Sequence, residues 1–222
     1  MIPLKDTIPH RKTPLITVSL IIINFLVFFL ELRQGVSIKD FLFKFGFVPA
    51  KLFLDYSLDE KIVPLFSNMF LHGSWFHLLG NNLYLWIFAD NVEDRLGRVN
   101  FLLFYILCGL GANFFHFLMN INSTIPAIGA SGAIAGVLGA YFLMFPQSRI
   151  VTLIPWFLFW QIVEVPAFFF LGLWFIYQLL LALFSIGFAS GVAFWAHVGG
   201  FLAGIFLLRF FLPKFRGGSL WI

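Results

Sequence analysis

Long apolar runs that contain almost no charged residues recur along this chain. The first extends from Leu15 to Leu32, and the last ends near Leu212. A bilayer core about 30 Å thick is crossed by a helix of about 20 apolar residues, which satisfies its own backbone hydrogen bonds within the lipid. The sequence therefore predicts six membrane-spanning helices, near residues 15–32, 72–91, 100–118, 130–146, 165–184 and 193–212.

The composition leaves too little polar surface for a soluble protein. Of the 222 residues, 61% are hydrophobic and 11% are charged, whereas soluble domains carry about 25% charged residues. The net charge is +4, but the basic residues do not cluster into a patch, which argues against a nucleic-acid partner. Cys108 is the single cysteine, so no internal disulfide and no cysteine-based metal site are expected. We predict an all-α polytopic membrane protein forming one domain over residues 1–222.

The basic residues follow the positive-inside rule. If the N-terminus is cytoplasmic, the short external loops near residues 119–129 and 185–192 contain no Lys or Arg. Both termini are therefore expected in the cytoplasm. The length, without an appended domain or transit peptide, favours a prokaryotic plasma membrane. The basic residues of the predicted cytoplasmic segments are Lys5, Arg11, Lys12, Arg95, Arg98, Arg149, Arg209, Lys214 and Arg216.

Two segments between the spans are also apolar. The long connection over residues 33–71 contains FLFKFGFVPAKLF and the remaining basic residues, a pattern that predicts short amphipathic helices in the outer interface. The stretch Ile150–Val163 contains Pro155 and is followed by Pro166. We expect it to be an interfacial or re-entrant segment before the fifth span.

Four of the polar residues within the predicted spans are candidates for function. Alone, each has a structural explanation: Ser131 suits a tight helix interface, His77 and Asn81 suit a hydrogen bond between helices, and His197 suits either a structural contact or a proton relay. Together they indicate chemistry, because the second, fourth and sixth spans all begin on the external side. The four residues are then expected at a similar depth in the membrane.

Glycines predict which helices meet. Small residues three or four apart allow two helix backbones to approach closely, and such rows occur on the fourth and sixth spans. Contact between these spans would bring Ser131 to His197, and a serine with a neighbouring base is the minimum arrangement for nucleophilic acyl transfer. The rows consist of Gly132, Gly136 and Gly139 on one helix and Gly200 and Gly204 on the other.

A third residue usually orients the histidine in such sites. No Asp or Glu is expected on the external half of any span, so the prediction is a Ser–His dyad. The oxyanion would be bound by the backbone N–H of Ser131 at its helix start, with His77 and Asn81. The acidic residues expected near the cytoplasmic side are Asp90, Glu93, Asp94 and Glu164.

These motifs resemble the rhomboid family of intramembrane serine proteases. The matching stretches are GASG from Gly129 to Gly132, HLLGN with His77 and Asn81, AHVGG with His197 and Gly200, and the later Gly204. The opening PLKDTIPHRKTP and an ExRxG motif also match, and the resemblance extends from Pro3 to about Leu212. The ExRxG motif consists of Glu93, Arg95 and Gly97.

The resemblance implies a six-helix bundle with a water-filled cavity open to the external side. Ser131 would be the nucleophile, His197 the general base, and the substrates single-span membrane proteins cleaved within or beside their membrane segment. No metal or organic cofactor is implied. The long external connection would be a membrane-embedded loop supported by His72, and the fifth span a mobile gate. Gly129 and the glycines of the two rows, with Glu93 and Arg95, would support the structure.

The sequence departs from part of the family in two features. Val63 and Pro64 stand where some members have a Trp–Arg pair. Ala135 stands where some members place an aromatic ring that stacks on the catalytic histidine. A replacement ring is then required, and Trp195 and Phe194 are the nearby candidates.

Other functions remain to be separated from proteolysis. A catalytically inactive rhomboid-like protein that binds membrane helices is the alternative, although every required side chain is present. A transporter would show broken helices, inverted repeats or paired intramembrane charges, and none of these is visible in the sequence. The absence of HExxH and of an Asp pair within spans argues against metalloprotease and aspartyl chemistry.

Overall fold

The protein is mostly helical in the computed structural model, which describes residues 1–9, 11–156, 159–185 and 192–212. A π-helical turn, Leu85–Ala89, joins α4 to α5. Lys214, Arg216 and most of the predicted loop 185–192 lie outside the described residues. The α-helices outside the connection over residues 33–71 are α1 (Leu15–Leu32), α4 (Trp75–Tyr84), α5 (Asp90–Leu96), α6 (Arg98–Met119), α7 (Ser131–Met144), α8 (Ala167–Phe184) and α9 (Phe194–Phe211).

The helices of the described chain include four that are long and apolar enough to cross a bilayer, namely α1, α6, α8 and α9. The chain is therefore an integral membrane protein. Helix α7 is apolar but has 14 residues, and the π-helical turn divides the stretch from α4 to α5. The number of crossings is accordingly part of the functional proposal below.

A three-stranded antiparallel sheet adds to the helices. Its strands are β1 (Ile2–Asp6), β2 (Arg149–Trp156) and β3 (Phe159–Pro166), paired in that order. The prediction of an all-α fold was wrong here, and a β-hairpin replaces the expected interfacial or re-entrant segment. Strands β2 and β3 are rich in Val, Ile and Trp, residues that favour a pleated and half-buried surface.

The connection over residues 33–71 folds into short helices α2 (Ile38–Phe45) and α3 (Leu58–Ser67) with 3₁₀ turns. Lys51 is buried in it, where its Nζ donates to the Phe43 carbonyl at 2.6 Å and lies 3.9 Å from the Phe43 ring centre. Burial lowers the pKa of Lys51, because desolvation disfavours the charged amine. The connection thus has a fixed internal structure.

Glycines bring α7 into direct backbone contact with α9. A Cβ added at Gly200 would overlap the Gly132 carbonyl oxygen, and one added at Gly204 would overlap the Gly136 carbonyl oxygen. On its other side Gly136 faces Cys108 of α6 at a distance that leaves no room for a side chain. Helix α7 is therefore enclosed between α6 and α9, and its residues from Gly132 to Tyr141 are all buried.

A carboxylate holds the start of α1. Glu93 accepts hydrogen bonds from the backbone N–H of Ile16 at 3.0 Å, from that of Thr17 at 2.8 Å and from the Thr17 hydroxyl at 2.8 Å. Negative charge is stabilising at a helix N-terminus, where the first N–H groups lack intrahelical acceptors. Gly97, at φ 81°, then turns the chain from α5 into α6. Arg95 is exposed in the last turn of α5.

The α7–α9 contact predicts the effect of a single methyl group. Gly204→Ala places a Cβ against the Gly136 carbonyl, and such overpacking costs about 1–3 kcal/mol. We expect a lower midpoint of thermal unfolding in detergent. Gly80→Ala is the matched control, because a Cβ there meets nothing within 4 Å. Equal midpoints for the two variants would contradict the proposed packing.

Candidate active site

Ser131 is the first residue of α7. The chain enters this helix through Gly129, at φ 118°, whose N–H donates to the Asn68 carbonyl at 2.8 Å. Ala130 then accepts from the N–H of Ile134 at 3.0 Å, which closes the first helical turn. The N–H of Ser131 has no acceptor within its own helix at this position, and it lies at the positive end of the helix dipole.

His197 lies in the first turn of α9 and faces Ser131. The distance from His197 Nε2 to Ser131 Oγ is 2.8 Å, which is hydrogen-bonding distance for a serine and its base. The pair forms where Gly132 and Gly200 bring the two helices together.

The other ring nitrogen of His197 also has a partner. Its Nδ1 lies 2.8 Å from Oε1 of Gln178, a buried residue of α8. A carbonyl oxygen only accepts hydrogen bonds, so Nδ1 carries the proton and Nε2 presents its lone pair to Ser131. Gln178 was not predicted from the sequence. Its signal was an amide in an otherwise apolar span, which usually marks an internal contact.

Two aromatic rings flank the imidazole of His197. Trp174 of α8 lies 6.2 Å away between ring centres, and Phe194 lies 6.3 Å away in an edge-on arrangement. Of the two rings proposed to replace the aromatic absent at Ala135, Phe194 contacts the histidine. Trp195 packs on Phe115 instead. Trp174 was not predicted.

His77 and Asn81 lie on α4 against the loop that precedes Ser131. A Cβ added at Gly129 would lie 2.5 Å from His77 Nε2 and 3.5 Å from Asn81 Nδ2. Only a glycine allows this approach, and its positive φ also favours glycine. The structure thus brings His77 and Asn81 next to the start of α7.

His72 fixes the side-chain amide of Asn81. The His72 ring has its Nδ1 at 3.1 Å from the Phe70 carbonyl and its Nε2 at 3.0 Å from Asn81 Nδ2. Nδ1 must donate to the carbonyl, so Nε2 accepts one N–H of Asn81. An Asn amide has two N–H groups, which leaves the second for another acceptor.

Glu31 supports this arrangement from α1. Its side chain is buried, and its two carboxylate oxygens accept from the backbone N–H of His72 at 2.9 and 3.1 Å. Glu31 stands in the last turn of α1, at the end that the predicted topology places on the external side. Under that topology, the expectation that no acidic residue lies on the external half of any span is wrong. Glu31 holds His72, whereas Nδ1 of His197 is bound by Gln178.

A cavity of about 670 Å³ opens above Ser131 and His197. This volume is within the range of about 300–1,000 Å³ that is typical of ligand sites. In the described part of the chain, no group of three or more His, Cys, Asp or Glu side chains is arranged to hold a metal ion. The polar lining of the cavity includes His77, Asn81, His116, Asn120, Ser123 and Ser185.

Comparison with known families identifies the chain. A family profile described as the Rhomboid domain matches residues 59–214, a range that contains Ser131, His197, His77 and Asn81. The chain belongs to the rhomboid family. In this rhomboid, the matched region begins within α3 and so includes the end of the long connection as well as the site.

This rhomboid is also similar to several longer proteins. It is 34% identical to RHOMBOID-like protein 5 of Arabidopsis thaliana over 157 residues, which cover 68% of this chain and 46% of the relative. It is 29% identical to the human presenilin-associated rhomboid-like protein, mitochondrial, over 153 residues, covering 66% of this chain and 37% of the relative. For rhomboid protein 1, mitochondrial, of Saccharomyces cerevisiae the identity is 29% over 150 residues, covering 64% and 40%.

The aligned part of this rhomboid spans less than half the length of each of these relatives. Two of these relatives are named as mitochondrial proteins. That location differs from the prokaryotic plasma membrane expected from the sequence. The membrane in which this rhomboid resides stays a prediction.

The contact between Glu31 and His72 predicts a loss of stability. Glu31→Leu leaves a buried N–H of His72 without an acceptor, and such a group costs about 1–3 kcal/mol. We expect a lower midpoint of thermal unfolding in detergent. Glu31→Gln is the matched control, since its amide oxygen can still accept from His72 and should preserve the midpoint. If both variants unfold at the wild-type temperature, Glu31 does not support the site.

Proposed function

We propose that this rhomboid is an intramembrane serine endopeptidase that cleaves single-span membrane proteins with a Ser–His dyad. The observation that carries the proposal is the 2.8 Å distance from Ser131 Oγ to His197 Nε2. The geometry around it also fits the task, because His197 Nδ1 donates to Gln178 and Nε2 is left as the acceptor. A serine hydroxyl needs such a base to become a nucleophile.

The first half of the reaction forms an acyl-enzyme. His197 Nε2 takes the hydroxyl proton while Ser131 Oγ attacks the carbonyl carbon of the scissile bond, and the carbonyl oxygen becomes an oxyanion. His197 then gives the proton to the leaving amine as the C–N bond breaks. In the second half, His197 takes a proton from water, the resulting hydroxide attacks the ester carbon, and the proton returns to Ser131 Oγ.

The oxyanion is stabilised by three donors in this proposal. The N–H of Ser131 is free of intrahelical bonding and lies at the positive end of α7. Asn81 gives one N–H to His72 and holds the second for the oxyanion. His77 lies against Gly129, next to the same point. Donors fixed before the reaction stabilise the developing charge without having to reorganise.

The proposed topology has six crossings, and two contacts support it. Glu93 binds the start of α1, so residues 17 and 93 lie on the same side of the membrane. Since α1 crosses, the stretch from α4 to α5 must return. Strand β1 pairs with β2, so the chain between them crosses an even number of times. Helix α6 crosses, and α7 must therefore cross back.

This topology places both termini in the cytoplasm and the cavity on the external side. The connection over residues 33–71 would then lie in the outer interface. A substrate helix would reach the cavity from the bilayer and expose a short extended segment to Ser131. A bilayer is therefore a partner in the reaction, together with the single-span protein. We keep the plasma membrane of a prokaryote as the proposed location, while the mitochondrial relatives indicate the other location to examine.

The serine should react with a fluorophosphonate. In detergent we expect covalent labelling of the wild-type protein at Ser131, because His197 activates this hydroxyl, and no labelling of Ser131→Ala. Ser19→Ala is the matched control, since Ser19 is exposed on α1 and donates to the Leu15 carbonyl. The readout is the labelled peptide, located by mass spectrometry. A folded wild-type protein that stays unlabelled would favour the inactive, helix-binding alternative.

The topology can be tested with introduced cysteines. The native Cys108 is fully buried, so a membrane-impermeant maleimide should not label the wild-type protein in intact cells. Asp55→Cys, in the connection, should be labelled from outside. Val99→Cys, which replaces a side chain with 73% exposure at the start of α6, should be labelled only after permeabilisation. External labelling of Val99→Cys would rule out the six-span arrangement.

A further inference from the structure

Gln178 is an unusual residue for its position. It lies in α8, an 18-residue helix composed otherwise almost entirely of apolar side chains, and only 8% of its surface is exposed. Burying a primary amide is unfavourable unless it is hydrogen-bonded. A leucine would fill the same space at no such cost. The partner that compensates the burial is Nδ1 of His197 at 2.8 Å.

The orientation of the Gln178 amide determines which nitrogen of His197 acts as the base. With Oε1 toward the ring, Nδ1 must carry the hydrogen and Nε2 accepts from Ser131. With the amide reversed, its N–H would donate to Nδ1 and Nε2 would be protonated. That tautomer cannot take the serine proton. The observed orientation is the one that supports a general base.

Trp174 acts on the same ring from one helical turn earlier. Residues four apart lie on one face of a helix, and Trp174 and Gln178 both contact His197. Helix α7, in contrast, has only the methyl group of Ala135 at the place where some family members have a ring. Two contacts that orient the base of this chain therefore come from α8.

We propose that Gln178 is the positioning residue of the dyad, which holds His197 in its productive tautomer and orientation through an uncharged acceptor. This inference rests on the proposed protease function. A neutral amide suits the depth of the site, because an ionised carboxylate inside a bilayer is costly. The orientation of the base then depends on α8 remaining packed against α9.

The experiment compares three variants of the full-length protein in detergent. Gln178→Met keeps the approximate volume and removes the acceptor. Gln178→Glu keeps an acceptor oxygen and adds a charge. Tyr177→Phe is the matched control on the same helix, where the side chain is 59% exposed. The readouts are the rate of Ser131 acylation by a fluorophosphonate, and kcat and KM for a fluorogenic peptide that contains one transmembrane segment, both measured against pH.

For Gln178→Met we expect acylation and kcat to fall roughly 10- to 100-fold with little change in KM, because a lost orienting contact leaves the wrong tautomer populated. For Gln178→Glu we expect kcat to approach the wild-type value at high pH. The acidic limb of its pH–rate profile should move to higher pH, because a neighbouring carboxylate favours the protonated imidazole. His77 of α4 and His116 of α6 also line the cavity, but they are unchanged in every variant. Tyr177→Phe should match the wild type.

The outcomes separate this inference from the function on which it rests. If the wild-type protein is labelled and Gln178→Met is labelled at the same rate, the positioning role is overturned and the protease proposal stands. If the folded wild-type protein is not labelled, both are overturned. If Gln178→Met fails to fold, Gln178→Glu decides: a shifted acidic limb supports the role, and an unshifted limb overturns it.

Discussion

The backbone contact between α7 and α9 is the constraint on which the site depends. Gly132 and Gly136 expose their carbonyl oxygens to Gly200 and Gly204, and at these two points the helix backbones meet directly. In lipid, helices associate through such close packing because there is little hydrophobic force between them. Ser131 and His197 lie in the first turns of these two helices, at one end of this contact. Their separation of 2.8 Å is thus set by glycines that lie beside the pair.

Carboxylates hold both ends of α1 in place. Near its start Glu93 accepts from the N–H groups of Ile16 and Thr17, and in its last turn Glu31 accepts from the N–H of His72. Both side chains are buried, and both are bound by backbone donors. The second contact reaches the site through His72 and Asn81. Helix α1 does not contact the Ser131–His197 pair, but through His72 it determines where the side-chain amide of Asn81 lies.

The helical part of the fold follows from composition, because an apolar run of about 20 residues has few alternatives in a bilayer. The pairing of Ser131 with His197 could also be expected. The predicted topology places both residues at a similar depth in the membrane, and the glycine rows indicate that their helices are in contact. Gln178 could be suspected of an internal contact but not assigned one, because its partner depends on the rotation of α8 about its axis. Glu31 was missed because a charged residue in the last turn of a span is expected to face water, whereas Glu31 is buried.

The sheet could not be predicted for a different reason. Val, Ile and Trp in β2 and β3 suit a strand and a membrane segment equally well. The strand that completes the sheet lies at the other end of the chain, beyond any local pattern. Similarly, one of the two rings beside His197 is Trp174, which belongs to another helix. Long-range partners of this kind are set by packing rather than by neighbouring sequence.

The pairing of β1 with β2 also fixes an order of events during synthesis. Strand β1 is made first, yet its partner begins only at Arg149, after four predicted crossings. At about 5–20 residues per second this leaves the strand unpaired for on the order of ten seconds. Under the proposed topology, closure of β1 onto β2 requires α7 to have returned to the N-terminal side. The sheet can therefore form only after the four proposed crossings between its first two strands have been made.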